Sequence, residues 1–483
     1  MIERDRATAA NRAAVPQFAL TLTYDELPAD VVDQATRCLL DLIGIAAGGS
    51  RTPGAAIVAH YAATQLGGST RILFDGRGAG LAGAAFAGAS TIDALDGHDG
   101  HVLTKGHAGV AVLPALLAYI DGGIALAERR RAAPRRSPPE GRRRAAPLRG
   151  EPIDGREFLT CLVLGYEIGT RAGIALHATT ADYHCSGAWN ALACAAIGGR
   201  LLGFDDERMR HALGVAEYFG PRGQILRACD DPSMVKDGSG WGAQVGVTAA
   251  LLARDGFTGA PALTVEGAVA GEHWHDLRRR WRIREQYFKP YPVCRWAQPA
   301  IEAALSLQRA YAFDADDVTG IAIESFREAI DLGSQCAHPV STDEAQYSLP
   351  QPVAAALVFG RLGAAEVTPP RLADPRVARL IDATTLVETH ELSRKFPVER
   401  WARVRVTLRD GSTLASEPTR DRGNPDNPLS EGELRDKYRS LAVPVLGRER
   451  AAVIETAVDA LTTDAAALRT LIEALLAPVA ASV

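Results

Sequence analysis

The sequence predicts a mainly α-helical protein, in which a large all-helical domain is followed by a smaller α+β domain. From the N-terminus to about residue 265, apolar residues recur with the 3.6-residue period of amphipathic helices, and alternating strand patterns are almost absent. After Trp281 the pattern changes, because short alternating segments typical of β-strands occur between helices. This order is typical of two differently built domains in one chain.

The chain length supports the same division. At 483 residues the chain is too long for one compact hydrophobic core, so we expect two or more domains. We predict the helical domain over residues 1–268 and the α+β domain over residues 269–410. Part of the remaining segment, 411–483, is expected to return and pack on the helical domain.

Start and stop signals locate the helices of the N-terminal half. Pro28, followed by an apolar period over residues 31–43, predicts a helix that ends at Gly48-Gly49. Asp205 is predicted to cap a helix over residues 205–218. Further helices are predicted at about 55–65, 110–127, 158–177, 187–202 and 240–253, with a short strand at 70–74.

Residues 78–83 match the pattern G-x-G-x-x-G. This pattern indicates a dinucleotide site only within a βαβ unit whose second strand ends in an acidic residue, and no second strand follows here. We therefore interpret these glycines as a site of close helix packing, with nucleotide binding as the lesser alternative.

The C-terminal half combines strands with helices. Residues 320–325 and 403–408 alternate between apolar and polar side chains, and Asp410-Gly411 after the second segment is a hairpin signal. Helices are predicted at about 297–311, 351–361, 374–388, 430–440, 448–461 and 465–477.

Residues 128–151 interrupt the helical pattern with nine arginines and four prolines. Such a composition is typical of a flexible, solvated insertion that is poorly ordered. A nucleic-acid-binding arm is the alternative, but the segment has no aromatic residue and the whole chain carries a net charge of −5. We expect no nucleic-acid partner.

The composition also indicates a cellular compartment. Seven cysteines, widely spread and without a C-x-x-C pair, are typical of the reduced thiols of a cytosolic protein. The N-terminal residues contain no apolar segment of the signal-peptide kind, and no apolar run reaches membrane-spanning length without a charge. We predict a cytoplasmic protein that is not associated with a membrane.

The stretch 91–114 gathers ionisable side chains between two alanine-rich apolar segments. Its four glycines are unfavourable in a helix interior, so we expect a loop held between helices, where catalytic groups are common. Three imidazoles and three carboxylates this close together supply general acids, general bases and metal ligands. The ionisable residues are Asp93, Asp96, His98, Asp99, His101, Lys105 and His107.

A metal site is the main alternative use of this loop. His98 and His101, with Asp96 or His107, offer a ligand set for Zn(II) or Fe(II). The neighbouring glycines leave the geometry loose, and no H-E-x-x-H helix fixes the ligands. We favour acid–base chemistry without a bound metal.

Two clusters further along the chain favour anions. His184 stands beside the predicted start of a helix at residue 187, where negative charge is stabilised, although a capping or core role fits this histidine equally well. Arg222 and Lys236 belong to a glycine-rich stretch before the next helix, a position suited to a carboxylate; a surface position is the alternative for the lysine.

Two more clusters lie in the C-terminal half. Lys289 and Arg295 belong to the segment 287–296, which is rich in proline and aromatic residues and is also typical of a domain linker. Tyr347 precedes an apolar helix and is either a proton donor or an interface tyrosine. Both clusters add candidate groups for binding a charged substrate.

In this order, the clusters resemble the MmgE/PrpD family. The resemblance covers most of the chain outside residues 128–151. Two departures from the family pattern stand out: Ala108 replaces the proline of the usual His-Pro-Gly turn, and residues 97–101 replace an acidic pair. The matching residues are Asp96, His107-Ala108-Gly109, Ser233-Met234-Val235-Lys236, Gly256–Gly259, Phe288–Cys294 and Tyr347-Ser348-Leu349.

The resemblance implies a fold, an assembly and a site. It implies a large helical domain with a smaller α+β lid domain, a homodimer, and an active site that needs neither a metal nor an organic cofactor. The implied catalytic residues are Asp96, His107, His184, Lys236 and Lys289. With the departures and local charges considered, we expect substrate contacts from Asp99, His101, Arg222, Arg295 and Tyr347.

The chemistry implied by the family joins these residues into one hypothesis. The expected activity is a cofactor-independent lyase of the 2-methylcitrate dehydratase type that acts on a small di- or tricarboxylate. His107 and His184 would be base and acid in either order, Asp96 would orient the first, and the cations would hold the carboxylates. Epimerisation of an imino- or amino-dicarboxylate, decarboxylation and a non-catalytic binding role are the alternatives.

Overall fold

The structure, a computed structural model, describes residues 2–132, 153–268 and 270–479. It is mainly helical with a smaller α+β region, which confirms the predicted fold class. The helix predicted at 110–127 extends to Ala132, and residues 133–152, most of the predicted Arg-rich insertion, lie outside the described residues.

The first half of the chain consists mostly of helices, whose bounds agree closely with the predicted ones. The helices are α1 (Ile2–Thr21), α2 (Ala29–Gly49), α3 (Pro53–Gln65), α4 (Leu81–Asp93), α5 (Gly109–Ala132), α6 (Gly155–Thr179), α7 (Gly187–Leu201), α8 (Asp206–Phe219), α9 (Ile225–Asp230), α10 (Ser239–Arg254) and α11 (Leu263–Glu266). The strands, each of two residues, are β1 (Thr70–Arg71), β2 (Gly78–Ala79) and β3 (Gly100–His101).

The second half adds a sheet. Its helices are α12 (Gln298–Tyr311), α13 (Arg327–Gln335), α14 (Thr342–Ala345), α15 (Pro350–Phe359), α16 (Pro375–Asp382), α17 (His390–Ser393), α18 (Glu431–Leu446), α19 (Arg448–Asp459) and α20 (Ala467–Leu476). Its strands are β4 (Gln286–Tyr287), β5 (Val318–Ser325), β6 (Thr384–Glu388), β7 (Trp401–Leu408), β8 (Thr413–Ala415) and β9 (Thr419–Arg420).

The helical core is built around α6, α7 and α10. Residues 158–176 of α6 are buried without interruption, and its most apolar window lies entirely inside the described molecule. By length and composition this helix could span a membrane, but complete burial is typical of the core helix of a soluble protein. The predicted cytoplasmic location remains a prediction.

The G-x-G-x-x-G glycines serve packing, as interpreted from the sequence. Gly78 belongs to the short strand β2, which pairs antiparallel with β1 rather than within a βαβ unit. A Cβ added at Gly83 would lie 2.9 Å from the Leu66 side chain at the end of α3. The glycines therefore let α4 approach the preceding segment closely.

The helix predicted at 374–388 is wrong beyond residue 382. Thr384–Glu388 form β6, which pairs parallel with β5 along residues 321–325. The β-branched Thr384, Thr385 and Val387 favour extended backbone, and the free edge of β5 offers main-chain hydrogen bonds. The apolar period extrapolated from α16 could not show that edge.

The sheet lies in the order β6-β5-β7-β8, with β9 pairing with β7. The predicted hairpin is confirmed, because Asp410 and Gly411 join β7 to the antiparallel β8 and Gly411 has a φ of 85°. Strand pairing continues to Arg420, past residue 410, where a domain boundary was expected.

Two helices of more than eight residues went unpredicted, and the shorter α9, α11, α14 and α17 were not predicted either. In α1, alanine-rich sequence favours helix without a strong apolar period, and Val15, Phe18 and Ala19 near its C-terminal end are buried. The other is α13, a short helix that follows β5 directly.

The C-terminal helices return to the helical part of the molecule. Helix α18 packs against α2, and Lys437 Nζ lies 2.5 Å from Asp41 Oδ1 and 2.6 Å from the carbonyl oxygen of Gly97. The Phe74 N–H donates to the Leu475 carbonyl of α20. The end of the chain thus supports the loop that follows α4.

Candidate active site

A cavity of 410 Å³ lies where the loop after α4 meets the C-terminal half of the chain. This central cavity combines charged and apolar walls. Its charged and polar residues include Asp93, Asp96, His101, Lys105, His107, Asp237, Tyr287, Lys289, Arg295, Tyr347 and Arg400, and its apolar residues include Val102, Leu103, Ile225, Leu226, Trp296 and Phe396.

A two-strand pairing holds the loop against the C-terminal half. Gly100 and His101 of β3 pair antiparallel with Tyr287 and Gln286 of β4. Because Lys289 follows β4 by two residues, this pairing carries its side chain to the loop. The pairing thus joins segments that are more than 180 residues apart in sequence.

Gln346 fixes the start of the loop. Its Oε1 accepts from the Asp96 N–H at 2.6 Å, and its Nε2 donates to the Ala94 carbonyl at 3.2 Å. The neighbouring Tyr347 lies on the cavity wall. The segment around Tyr347 is thereby attached to the same loop as Asp96.

Lys289 and Asp96 form a buried ion pair. Lys289 Nζ donates to Asp96 Oδ1 and also lies 3.3 Å from the Asp96 carbonyl oxygen. Burial opposes ionisation of the carboxyl, but the positive charge of Lys289 outweighs it and lowers the pKa of Asp96. Burial likewise opposes the lysine, and Asp96 overcomes it to raise the pKa of Lys289. Both groups are therefore charged at neutral pH.

His107 is a neutral imidazole with a defined tautomer. Its Nδ1 lies 2.5 Å from the Asp99 carbonyl oxygen, and because a carbonyl can only accept, Nδ1 must carry the proton. Burial, followed by the charges of His98 and Lys289, holds the pKa of His107 well below its usual value. Nε2, 3.9 Å from Asp96 Oδ1, is therefore an unprotonated nitrogen suited to act as a base.

The backbone of His107 is tied to a third carboxyl group. The His107 N–H donates to Ser186 Oγ at 2.9 Å, and Ser186 Oγ donates in turn to Asp237. Asp237 lies on the cavity wall, and burial, aided by the charge of Asp93, raises its pKa well above the usual value. This chain of hydrogen bonds positions His107 between the loop and the start of α7.

His98 packs beneath the site rather than on its wall. Its ring meets the His107 ring edge to face, with centroids 4.2 Å apart, and its Nε2 lies 3.6 Å from Asp93 Oδ1. His101, in contrast, lies on the wall and its Nε2 is 2.9 Å from Glu285 Oε2. The three histidines of the loop thus have separate partners.

The metal alternative for this loop finds no support in the geometry. Within residues 2–132, 153–268 and 270–479, no three His, Cys, Asp or Glu side chains are arranged to hold a metal ion. The glycines between the histidines turn successive imidazoles toward different neighbours.

Asp99 was expected to contact the substrate, but it lies behind the cavity wall. Its side chain is fully buried, and its oxygens have no hydrogen-bond partner in the part of the chain that the structure describes. Burial, and then the charge of Asp41, raises the pKa of Asp99 to about 8. Only its backbone carbonyl, through Nδ1 of His107, serves the site.

Lys236 lies next to the cavity without forming part of its wall. Its Nζ is 2.9 Å from Asp343 Oδ1, in an ion pair that lacks hydrogen-bond angles, and 5.4 Å from the ring centroid of Tyr347. Burial raises the pKa of Tyr347 well above its usual value, so this phenol stays protonated. Lys236 thus contacts the site through Tyr347.

His184 and Arg222 are not brought to the cavity wall. His184 Nδ1 lies 3.3 Å from the Arg222 carbonyl oxygen, and its ring stacks on His177 at a centroid distance of 6.4 Å. The Arg222 side chain is exposed. Beside His184, Tyr183 reaches the wall, and Ile225 and Leu226 reach it after Arg222.

Two arginines form the wall contributed by the C-terminal half. Arg295, predicted from the sequence, is bound by Asp421 Oδ2 at 2.9 Å and by Asn424, and its guanidinium lies 3.8 Å from the Tyr287 ring centroid. Arg400 was not predicted. It precedes β7 directly and has no motif around it, so no sequence signal could have identified it.

Asp237 and Tyr287 were also missed as wall residues, although each had a usable signal. Asp237 directly follows Lys236 in a motif that the sequence singled out, and Tyr287 opens the aromatic segment that carries Lys289. A carboxyl or hydroxyl adjacent to a candidate cation is a reasonable candidate in its own right.

The chain matches one protein family over both of its halves. Residues 14–274 match the family model of the MmgE/PrpD N-terminal domain, and residues 291–463 match that of the MmgE/PrpD C-terminal domain. The two matches cover most of the chain and meet near β4, where the loop and Lys289 are joined.

Several characterised proteins are similar to this chain. A cis-aconitate decarboxylase-like protein of Aspergillus oryzae is 27% identical over 94% of this chain and 95% of its own length. A cis-aconitate decarboxylase of Aspergillus terreus is 25% identical over 92% of this chain and 91% of its own length. A 2-methylcitrate dehydratase of Cupriavidus necator is 28% identical over 46% of this chain and 50% of its own length.

Proposed function

Because the chain belongs to the MmgE/PrpD family, we propose that it is a lyase that moves a proton next to a carboxylate of a small di- or tricarboxylic acid. The named relatives are a dehydratase and decarboxylases, and the names of their substrates, 2-methylcitrate and cis-aconitate, denote tricarboxylates. The coarse class, an enzyme of the dehydratase or decarboxylase type, follows from the family.

The observation that carries the proposal is the arrangement of His107, Asp96 and Lys289 in one cavity. Removing a proton next to a carboxylate needs a base, and the resulting enolate-like charge needs nearby cations. Nε2 of His107 is an unprotonated nitrogen that lies 3.9 Å from Asp96 Oδ1, and the Lys289 ammonium pairs with that same carboxylate oxygen. Base and cation thus lie on the same wall.

We assign the proton donor to Tyr347 instead of His184. Tyr347 lies on the cavity wall and remains protonated, whereas His184 contacts the backbone of Arg222 away from that wall. Protonation of a leaving hydroxyl requires a donor within reach of the substrate. Replacing Tyr347 by Phe is therefore expected to reduce turnover more than replacing His184 by Asn.

Two lyase reactions fit this proposal, and epimerisation is the alternative outside the lyase class. Dehydration of a hydroxy acid uses His107 as the base and Tyr347 as the acid for the leaving hydroxyl. Decarboxylation uses the same groups to protonate a carbon as CO₂ leaves, and it is favoured by the relatives that cover more than nine-tenths of this chain. Epimerisation of a dicarboxylate would need only proton exchange at one carbon.

A substrate screen followed by NMR in heavy water tests the proposal. The wild-type protein is incubated with citrate-like, aconitate-like and aspartate-derived acids. Loss of water, loss of CO₂, or deuterium incorporation without either loss identifies dehydration, decarboxylation or epimerisation, respectively. No turnover and no deuterium exchange with any of these acids would overturn the proposal.

The matched variants are His107→Asn and His60→Asn. The first removes the base, so turnover should fall by roughly two to four orders of magnitude while the protein stays folded. The second changes an exposed histidine of α3 and should leave turnover unchanged. Equal turnover of the two variants would exclude His107 as the base.

A further inference from the structure

Arg400 is a buried cation that has no counter-ion in hydrogen-bond contact among the residues that the structure describes. It lies on the wall of the central cavity, and only 8% of its surface is exposed. Its Nε and Nη1 have no hydrogen-bond partner within the described residues. A guanidinium is planar and carries five donors, so unmet donors at this depth are unfavourable unless an external acceptor reaches them.

The neighbouring Arg295, unlike Arg400, has hydrogen-bond partners within the protein. Its guanidinium is satisfied by Asp421 and Asn424 and stacks on Tyr287. Burial and the charge of Arg295 lower the pKa of Arg400 to about 10, which still leaves it protonated at neutral pH. The protein itself therefore neutralises one arginine of the pair and leaves the other available.

Three positive groups of the cavity wall come from the same part of the chain, whereas Lys105 comes from the loop after α4 and lies over the Tyr183 ring. Lys289, Arg295 and Arg400 all come from the chain after β4, and all three line the cavity together with Tyr287. Lys289 is already occupied by Asp96. Among the described residues after β4, Arg400 is thus the cavity-wall cation without an ion-pair partner, and it lies next to the apolar Phe396.

We propose that Arg400 binds a second carboxylate of the substrate, away from the carbon at which His107 acts, and so selects polycarboxylates over monocarboxylates. The proposal rests on the proposed function for the class of substrate. The end of a guanidinium can donate two parallel N–H bonds, from Nη1 and Nη2, to one carboxylate, and an ammonium cannot reproduce this bidentate geometry.

Binding of unreactive acids tests this subsite without turnover. Isothermal titration compares tricarballylate, glutarate and butyrate on wild type, Arg400→Gln and Arg400→Lys. Loss of a charge-assisted contact should weaken tricarballylate binding about 10- to 100-fold in Arg400→Gln, with an intermediate loss in Arg400→Lys. Butyrate has one carboxylate and, with that carboxylate on the His107 side of the cavity, leaves Arg400 empty, so its weak binding should change by less than about 3-fold.

The matched control is Arg405→Gln on β7. Arg405 is half-exposed and pairs with Glu324, so its replacement should leave all three affinities unchanged. The proposed subsite would be overturned if the wild-type protein bound none of the three acids. It would also be overturned if Arg400→Gln lost affinity for tricarballylate and for butyrate by the same factor.

A stability measurement separates binding from misfolding. Removing an unpaired buried charge should leave the ligand-free protein as stable as wild type or more stable, so the Tm of Arg400→Gln should not fall. A clear fall in Tm would mean that Arg400 is structural and would overturn the assignment. Selective loss of tricarballylate binding in a protein that turns over no acid would support the subsite and count against the proposed reaction.

Discussion

At the scale of single residues, the site depends on how burial distributes protons. His107 stays neutral because burial and nearby positive charges disfavour its protonation, while Asp96 and Lys289 stay charged because each stabilises the other. Asp237 and Asp99 are driven toward their neutral forms by burial and by a neighbouring carboxylate. The cavity thus holds a free base beside an ion pair.

The pH profile of activity should report the depressed pKa of His107. Protonation removes the base, so the acid limb of kcat/KM is expected well below the usual imidazole value of 6.5. His98→Asn removes one cause of the depression, so its limb should move to higher pH. Initial rates between about pH 4 and 9 measure the acid limbs of the wild type and of His98→Asn. An acid limb of the wild type at or above pH 6.5 would contradict this prediction.

Asp99 should make the folded state less stable as the pH rises. An unfolded chain releases this proton near 3.8, whereas the folded protein keeps it to about 8, so between these values the folded state binds more protons and its stability falls with pH. The Asp99→Asn variant has no carboxyl group at this position, so its stability does not show this fall with pH. Denaturant unfolding at about pH 5 and pH 8 should show the variant gaining stability relative to wild type; a constant difference would contradict the assignment.

At the scale of elements, close helix contacts set the positions of the loops. A Cβ added at Gly246 of α10 would lie 2.3 Å from the carbonyl oxygen of Ala191 in α7. A Cβ added at Gly100 of β3 would lie 2.7 Å from His107 Nδ1. Small residues therefore let α7, α10 and the β3–β4 pairing bring Ser186, Asp237 and His107 together.

Gly246→Ala should destabilise the helical core. The added methyl group meets backbone rather than a flexible side chain, so we expect a loss of about 1–3 kcal/mol or more in the free energy of unfolding. Gly123→Ala in α5 is the control, because nothing lies within 4 Å of its added Cβ. Greater helix propensity should make that variant more stable by about 0.5–1 kcal/mol. Similar unfolding midpoints for both variants would contradict the packing argument.

At the scale of the whole molecule, the cavity exists only where the two halves of the chain meet. The N-terminal half supplies Asp96 and His107, and the C-terminal half supplies Lys289, Tyr347 and Arg400. Helix α18 supports the loop from below through Lys437. Neither half contains both the base and the cations that the proposed reaction requires.

The homodimer expected from the family resemblance remains a prediction, and an exposed apolar patch is the surface we expect it to use. The patch joins α3 to the start of α10: Ile57, Met234, Val235 and Trp241 are more than half exposed, and Trp241 packs on Phe86. Contiguous apolar surface of this kind is typical of an interface.

Light scattering should give a mass of two chains, and Trp241→Glu should shift it toward one chain, because a buried carboxylate opposes association. Tyr311→Glu is the control, since this residue is also exposed but lies on α12, away from the patch. A wild-type protein of single-chain mass would contradict the prediction.

The sequence by itself determined most of the longer helices of both halves, strands β5 and β7, the β7–β8 hairpin, and the closeness of Asp96 to His107, which share one short loop. Periodicity, capping and turn signals are local, so they can be read from neighbouring residues. The motif around Lys289 pointed to the family and hence to the site.

Only the tertiary structure decided that His184 lies off the cavity wall, that Asp99 serves through its carbonyl, and that Arg400 lies on the wall with unmet donors. The same holds for β6, whose strand partner is some 60 residues away. Each of these facts depends on which distant segment a side chain or strand edge meets. That contact is set by packing across the whole chain, and no local pattern encodes it.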